Sequence, residues 1–383
     1  MTKHTLNQAG LEELVNTIEG DVADGQYDGA VVLVAQHGDI ALHRAIGHSD
    51  LANNRKTQLD DIFHLMSITK QLTTVVVLQA IERGQFSLET KIAQIIPEFG
   101  VKGKNNITVY HLLTHMSGMN EELPAALVPG QHVNIQALVS AVSDERLQRR
   151  PGRVVCYNPY AAHAILAEMV CRLDKQQRPF RQILNDELLQ PLAMYNTSLS
   201  VRPDLAGRRV PIVPRFGDGG LFEPQAFSAM NLLATEEAEF AAAGAMGTAM
   251  DVFRFSEMLR RGGELDKVRI LSESMVSEAT RNHTGQQSND IFDWAREIHN
   301  WPDWPAYIGL TFFLRGEGTF PTHMGHNTSP GTFCGEGAGS TLFWVDPERD
   351  LSFVFLSAGI MDEAENILRC QKLSDLVVSA ASC

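Results

Sequence analysis

One serine and one lysine in this chain have the spacing of an activated nucleophile. Ser67 is followed three positions later by Lys70, and no other serine in the sequence has a lysine at that distance. On a helix these positions lie on the same face, so the amine of a neutral lysine can take the hydroxyl proton. A helix that begins at this serine also presents backbone N–H groups and a partial positive charge to a developing oxyanion. The pair is therefore our candidate for nucleophilic catalysis.

The residues that follow the pair predict the helix that must hold it. An apolar run continues to Ile81 and ends at Arg83 and Gly84. A serine and a lysine can have this spacing by chance, but a nucleophile at the start of a buried helix is held rigidly. We therefore expect a buried helix from Ser67 onwards, with the hydroxyl at its N-terminal end.

Three histidines offer alternative acid–base or metal chemistry. His64 precedes the serine, and His111 and His115 are one helical turn apart, a spacing that can bind a metal. No glutamate accompanies them as in a zinc protease. We expect all three to be structural histidines, and we expect neither a metal site nor a cofactor.

Composition limits the possible partners. The chain has 383 residues, of which 44% are hydrophobic, and its formal net charge is −14. This size predicts a large core, and the negative charge argues against nucleic acid and an anionic membrane surface. No segment approaches the ~18 consecutive apolar residues of a membrane span. The N-terminus has an amphipathic pattern rather than an apolar signal core. We expect a cytoplasmic protein that acts on a small molecule; its oligomeric state is open.

The pattern of elements predicts an α+β fold with a mainly antiparallel sheet. Strand-like segments lie at residues 29–35, 40–46, 307–314, 340–345 and 351–356. Helical segments lie between them, at residues 109–115, 159–172, 180–189 and 250–259, and a last helix at 362–381. We expect one two-lobed domain over residues 1–383, with a sheet lobe (about 1–65 and 262–383) and a helical lobe (about 66–261). Residues 281–305 predict a surface loop, either a lid or a segment that its tryptophans anchor on the core.

Five cysteines predict no disulfide framework. Their number is odd and no two form a C-x-x-C pair. We expect reduced thiols, and we expect Cys156 and Cys334, which lie close to the candidate motifs, to be small space-filling residues. The cysteines are Cys156, Cys171, Cys334, Cys370 and Cys383.

In the order of its motifs the chain resembles the serine β-lactamase-related superfamily. The resemblance is to the class C-like branch, which contains class C β-lactamases, family VIII carboxylesterases, D-aminopeptidases and lovastatin-type acyltransferases. It implies a β-lactamase/transpeptidase-like fold, with an antiparallel sheet flanked by helices, an all-helical lobe and the active site in the cleft between them. The motifs are residues 29–39, Ser67 to Lys70, residues 107–118, Pro151-Gly152 before Tyr157, residues 191–194 and residues 244–251.

The resemblance also implies roles for particular residues. Ser67 would be the nucleophile, and the backbone N–H groups of Ser67 and Ala338 would form the oxyanion hole. Tyrosine normally titrates near pH ~10, and only one neighbouring lysine is evident, so we assign the base to Lys70 and Tyr157 as a pair. The alternative for Tyr157 is a half-buried aromatic residue ahead of a helix.

The second motif departs from the pattern of the family. It often has the form tyrosine-x-asparagine, whereas here Tyr157 is followed by Asn158 and Pro159. Asn158 is the candidate to replace the missing amide in substrate binding. Pro159 fits the first turn of a helix.

The third motif also departs from that pattern. The resemblance places it at Gly335, Glu336 and Gly337, which are candidate substrate-binding residues, so that a glycine stands where a large or cationic residue is expected. A rival match begins at His323, but a turn-rich segment follows it instead of a strand. Glu336 either faces the cleft, where it would repel an anion, or is a solvated residue that faces outward.

These features favour a serine acyl hydrolase, similar to a carboxylesterase, that acts on an ester or amide through an acyl-enzyme. Without a cation in the third motif, we expect a neutral or cationic substrate and weak β-lactam hydrolysis. The first alternative is a transacylase that moves the acyl group to an alcohol or amine of a small metabolite. The second is a non-catalytic binding protein that keeps the fold.

Overall fold

The computed structural model describes residues 6–381, in which both ends of the chain contribute to one antiparallel sheet. The sheet has seven strands in the order β3-β2-β1-β11-β10-β9-β8, so that the first strand pairs with the last. This architecture confirms the predicted α+β class. The strands are β1 Gly29–Gln36, β2 Asp39–Asp50, β3 Arg55–Lys56, β4 Phe63–His64, β5 Met246–Gly247, β6 Glu264–Leu265, β7 Val268–Arg269, β8 Phe313–Leu314, β9 Phe333–Gly337, β10 Thr341–Asp346 and β11 Leu351–Ala358.

Helices cover both faces of the sheet and form a larger group beside it. The helices are α1 Gln8–Ala23, α2 Ile68–Glu82, α3 Val109–Leu113, α4 Ile135–Ser143, α5 Ala161–Leu173, α6 Phe180–Leu184, α7 Pro224–Leu233, α8 Ala249–Arg260, α9 Glu273–Ala279, α10 Asp293–His299 and α11 Glu363–Ala381. Helix α6 continues through a π-helical turn at Asn185–Leu189. None of the helices within residues 6–381 combines the length and the apolar character that crossing a membrane requires.

Strand β1, next to the central strand β11, is buried on both faces because its side chains alternate between two hydrophobic cores. Val31 and Leu33 pack into the core that the sheet shares with α2, α5 and α8. Val32 and Val34 pack into the core formed with α1 and α11. This period of two explains why the strand is a continuous apolar run in the sequence.

Between residues 281 and 314 one sequence-based prediction is wrong and a second is wrong only in part. The strand expected at residues 307–314 is reduced to β8, because Tyr307 and Thr311 have φ angles of 45° and 73°, which extended strands do not allow. The loop expected at residues 281–305 contains α10, and Trp304 is buried against the rings of Phe292 and Phe320. The tryptophan thus anchors this segment on the core.

The cysteines are free thiols wherever the structure describes them. Cys156 and Cys334 are buried, as expected of small space-filling residues; Cys370 is also buried and Cys171 is half-buried. Cys383 lies outside the described residues.

Candidate active site

The candidate nucleophile lies in a turn of unusual backbone conformation at the start of α2. Met66 has a φ of 49°, an unusual left-handed conformation for a side chain of this size. Ser67 follows at the N-cap position of α2, but its side chain makes no capping hydrogen bond. Thr69 Oγ1 donates to the Met66 carbonyl at 2.6 Å and accepts from the N–H of Ala245 at 3.0 Å. The hydrogen bond from Ala245, just before β5, therefore stabilises the turn, while the hydroxyl of Ser67 is not used to cap the helix.

Lys70 is a buried amine that contacts this hydroxyl. Its Nζ donates to Ser67 Oγ at 2.9 Å and to the carbonyl oxygen of Ala242 at 3.0 Å. The side chain is 1% exposed. Burial lowers the pKa of Lys70 to about 7, although the charge of Glu336 opposes this effect. A large fraction of the lysine is thus neutral near pH 7 and able to accept a proton.

Tyr157 lies beside the same pair, and its pKa shifts in the opposite direction. The Nζ of Lys70 lies 5.0 Å from the centroid of its ring. Burial raises the pKa of Tyr157 well above its usual value, the charge of Glu336 raises it further, and an interaction with Ser67 lowers it only in part. The tyrosine is therefore a phenol at neutral pH. Of the pair to which we assigned the base, Lys70 is thus suited to be the resting base and Tyr157 to carry a proton.

Two rings hold the phenol in place. His115 lies against Tyr157 with 4.6 Å between ring centroids, and Phe313 stacks at 6.0 Å. Burial and the charge of Lys70 lower the pKa of His115 to about 3, so that this ring is neutral. Its Nδ1 accepts a hydrogen bond from the N–H of Asn158 at 3.1 Å. His115 is structural, as expected, but sequence reasoning missed its contact with the tyrosine.

Asn158 stabilises the start of α5. Its Oδ1 accepts from the N–H groups of Ala161 at 2.7 Å and Ala162 at 3.1 Å. Its Nδ2 donates to the carbonyl of Asn120 at 2.7 Å, and the residue is 2% exposed. These bonds occupy both ends of the amide, so the structure gives Asn158 a capping role in place of the substrate contact that we predicted.

The other histidines take part in local structure. His111 contacts Thr108 in a capping box at the start of α3. His64 is buried in β4, and burial lowers its pKa to about 3. Across residues 6–381, these two histidines belong to no group of three side chains arranged to bind a metal.

The end of β9 lies directly against the nucleophile turn. A Cβ atom added at Gly337 would lie 2.5 Å from the carbonyl oxygen of Leu65, closer than such atoms approach. Thr341 Oγ1 donates to the same carbonyl at 3.0 Å. Ala338 follows Gly337 and lines the same cavity as Ser67. Only glycine at position 337 therefore lets the end of β9 lie against the turn that precedes Ser67.

The rival third motif does not border the cavity beside Ser67. His323 is buried, and its Nε2 is 3.1 Å from the carboxylate of Glu363 at the start of α11. Gly325 lies against Asp375 on the same helix. The motif ending at Ala338, rather than the one beginning at His323, therefore borders the cavity beside Ser67.

Gly335 has no room for a larger side chain. A Cβ atom there would lie 2.6 Å from Gln71 Oε1 and 2.5 Å from the ring of Phe343. Gln71 is held in this space because its Nε2 donates to the carbonyl of Thr311 at 3.0 Å. Gln71 thus occupies the space from which a cation in the third motif would extend, and no pattern in the sequence links the two positions.

Glu336 lies in a buried cluster with His323 and Glu363. One ligand-type atom from each of the three side chains lies within 4.8 Å of the others. Glu336 is 8% exposed, and its Oε2 has no hydrogen-bond partner. Burial and the charge of Glu363 raise the pKa of Glu336 to about 7. The residue is therefore not a solvated surface group, and its charge acts on Lys70 and Tyr157.

Two openings meet at the site. A cavity of about 420 Å³ borders Ser67 and Ala338 and has apolar walls. A second opening of about 360 Å³ borders Tyr157 and the carboxylates of Glu121 and Glu122. The nucleophile and the tyrosine thus border different openings, and acidic residues line only the one beside the tyrosine.

We expect Gly337→Ala to destabilise the fold and the site together. The new methyl group would push β9 away from the Leu65 carbonyl, and overpacking of this kind costs about 1–3 kcal/mol. In a chain of this size we expect the thermal midpoint to fall by several degrees. Calorimetry measures the shift. Gly331→Ala is the control, because its Cβ would meet other atoms only at ordinary distances; equal midpoints for the two variants would contradict the prediction.

Comparison with known proteins identifies the family. Residues 14–364 match the family model described as Beta-lactamase, and the chain belongs to this family. It is 26% identical over 324 residues to Esterase EstB of Burkholderia gladioli, which covers 74% of this chain and 78% of the esterase. A family VIII carboxylesterase superposes with a TM-score of 0.79 at 18% identity, over 98% of this chain and 99% of the other. Simvastatin synthase (LovD) of Aspergillus terreus, as its LovD6 mutant, superposes with a TM-score of 0.74 at 17% identity, over 98% of both chains. The predicted resemblance and the β-lactamase/transpeptidase-like fold are confirmed.

Proposed function

We propose that this protein is a serine acyl hydrolase that cleaves small-molecule esters through an acyl-enzyme. The observation that carries the proposal is the 2.9 Å hydrogen bond between Lys70 Nζ and Ser67 Oγ, in a buried site beside a cavity. The relative named Esterase EstB and the carboxylesterase of similar fold support an ester as the substrate.

The proposed reaction begins when Ser67 Oγ attacks the ester carbonyl and its proton passes to Lys70. The N–H groups of Ser67 and Ala338 stabilise the oxyanion that forms. When the intermediate collapses, the bond to the leaving alcohol breaks and Tyr157 donates a proton to that oxygen. Lys70 then returns its proton to Tyr157. In deacylation Tyr157 passes a proton to Lys70 and takes one from water, whose oxygen attacks the acyl carbonyl. The bond to Ser67 Oγ then breaks, Lys70 returns its proton to Ser67, and the acid is released.

A transacylase would use the same acyl-enzyme but release it to an alcohol or amine. Product formation that depends on such an acceptor, in preference to hydrolysis, separates this alternative from the main proposal. A non-catalytic binding protein is the second alternative. It predicts that no activated ester is turned over and that Ser67 stays unmodified.

Covalent trapping tests the proposal. We expect a fluorophosphonate probe to label the protein once, at Ser67, and p-nitrophenyl acetate to give a burst of p-nitrophenol that matches the enzyme concentration. Ser67→Ala should abolish both signals, whereas Ser87→Ala, at an exposed serine beyond the end of α2, should keep them. Labelling at another residue, or an unchanged burst in Ser67→Ala, would refute the assignment.

The pH dependence should report the ionisation of Lys70. We expect kcat/KM to rise with pH through an apparent pKa near 7, because only the neutral amine accepts the proton of the serine. Glu336→Gln should move this limb to lower pH, because the negative carboxylate favours the charged lysine. Since the groups titrate together, the apparent value belongs to the cluster. Glu365→Gln, an exposed position on α11, is the control; equal profiles for both variants would exclude the coupling.

β-Lactams should be poor substrates. The carboxylate of benzylpenicillin would find no cation at Gly335, where Gln71 fills the space. The loss of one charge-assisted hydrogen bond corresponds to about a 10-fold to 10²-fold decrease in kcat/KM. Steady-state hydrolysis of benzylpenicillin and p-nitrophenyl acetate by the same preparation measures the difference. Efficient turnover of the penicillin would overturn the prediction.

A further inference from the structure

We infer that the cavity beside Ser67 binds the acyl chain of the substrate and that the protein prefers esters of apolar acyl groups of medium length, on the order of eight carbons. The inference rests on the proposed function. It adds a substrate class, which the similarity to other esterases does not provide.

The walls of the cavity are mostly apolar. Its volume is about 420 Å³, within the range of sites that enclose small organic ligands. None of the described residues that line it is an aspartate, glutamate, lysine or arginine, and burial lowers the pKa of His132, which keeps that lining ring neutral. An ionic acyl group would lose its hydration there without gaining a partner. The larger apolar residues of the wall include Met66, Phe222, Phe227, Met230, Leu233 and Phe240.

Helix α7 contributes one continuous face to this wall. Ala226, Ala229, Met230 and Leu233 follow the spacing that places helical side chains on one side, and all four line the cavity. The two alanines leave space where larger residues would fill it. Phe227 helps to hold this helix in place. Its ring makes edge contacts with Phe216 and Phe222, with 5.9 and 5.5 Å between ring centroids.

The position of Tyr157 decides which half of the ester enters the apolar cavity. The leaving oxygen must lie on the side of the tyrosine, because this residue donates the proton to it in the proposed reaction. Tyr157 borders the second opening, together with Glu121 and Glu122, and does not line the apolar cavity. The alcohol half therefore faces the opening beside Tyr157, and the acyl half extends from Ser67 into the apolar cavity.

A chain-length series tests the inference. We expect kcat/KM for p-nitrophenyl esters to rise from acetate to octanoate by about fourfold for each methylene that is fully buried. A rise of less than about tenfold over the series would overturn the acyl-chain assignment. If p-nitrophenyl acetate is still hydrolysed by a Ser67-dependent route, the proposed function stands even though the acyl-chain assignment fails.

Ligand binding to an inactive variant tests the acyl-chain assignment separately from the proposed function. Ser67→Ala keeps the cavity but cannot react, so calorimetry with octanamide and acetamide measures recognition alone. We expect octanamide to bind at least about tenfold more tightly. Equal affinities would refute the inference whatever the activity of the enzyme.

A matched pair of variants on α7 tests whether the acyl chain binds in this cavity. Ala229→Trp should fill it and lower the ratio of octanoate to acetate turnover by at least about tenfold. Ser228→Trp adds the same side chain at the neighbouring exposed position, which does not line the cavity, and should leave that ratio unchanged. The same change of ratio in both variants, or in neither, would contradict the assignment.

Discussion

Replacing Lys70 by methionine is expected to lower kcat/KM for p-nitrophenyl acetate by about 10³-fold to 10⁴-fold. Methionine keeps most of the volume of the side chain but cannot accept the proton of Ser67. The hydroxyl would also lose the 2.9 Å contact that orients it. Steady-state kinetics at pH 8 measures the loss. A decrease of less than tenfold would mean that another group is the base.

Lys104→Met is the matched control. Lys104 is also 1% exposed, but its Nζ bonds to the backbone oxygen of Glu145, and it lines neither opening of the site. We expect its activity to stay within about twofold of the parent. A similar loss in both variants would show that removing any buried lysine damages the fold.

Lys70→Met should also change how the stability of the protein depends on pH. The pKa of Lys70 is about 7 in the folded protein and 10.5 in the unfolded chain. Between these values the unfolded state binds a proton that the folded state does not, so the parent becomes more stable as the pH rises. Relative to Lys70→Met, its free energy of unfolding should increase by at most about 1.4 kcal/mol per pH unit. Denaturation at pH 7 and pH 9 checks the sign.

The sequence predicted those parts of the site that depend on local geometry. Ser67 and Lys70 could be recognised because a helix places residues three apart on one face. Strands β1, β10 and β11 could be recognised because their apolar runs are continuous and bounded by turns. Tyr157 entered only through the family resemblance, since its position beside Lys70 depends on packing between distant segments.

The remaining features depend on contacts that no sequence pattern records. Gln71 fills the space beside Gly335, although the two positions are far apart in the chain. The grouping of His323, Glu336 and Glu363 arises where β9 meets the start of α11. The irregular backbone at residues 307–312 follows from positive φ angles at residues that ordinarily favour strands. In each case tertiary packing overrides local preference.

Tyr157→Phe is expected to lower kcat/KM for p-nitrophenyl acetate by about 10²-fold and to lower it further for phenyl acetate. The reason is the raised pKa of the phenol, which keeps its proton and can donate it to the leaving oxygen. p-Nitrophenolate leaves readily without that proton, whereas phenolate needs it more. The acid limb of the pH profile should remain near 7, because Lys70 sets it.

The comparison between the two esters distinguishes a proton donor from a base. If Tyr157 were the resting base, its removal would slow the attack by Ser67 equally for both esters and would abolish the rise of kcat/KM through pH 7. Tyr110→Phe is the control, because that hydroxyl donates to the carbonyl of His283 at 3.1 Å and lines neither opening. Equal losses for the two esters would assign the tyrosine to the attack step. A larger loss for phenyl acetate would assign it to departure of the alcohol, with Lys70 alone as the base.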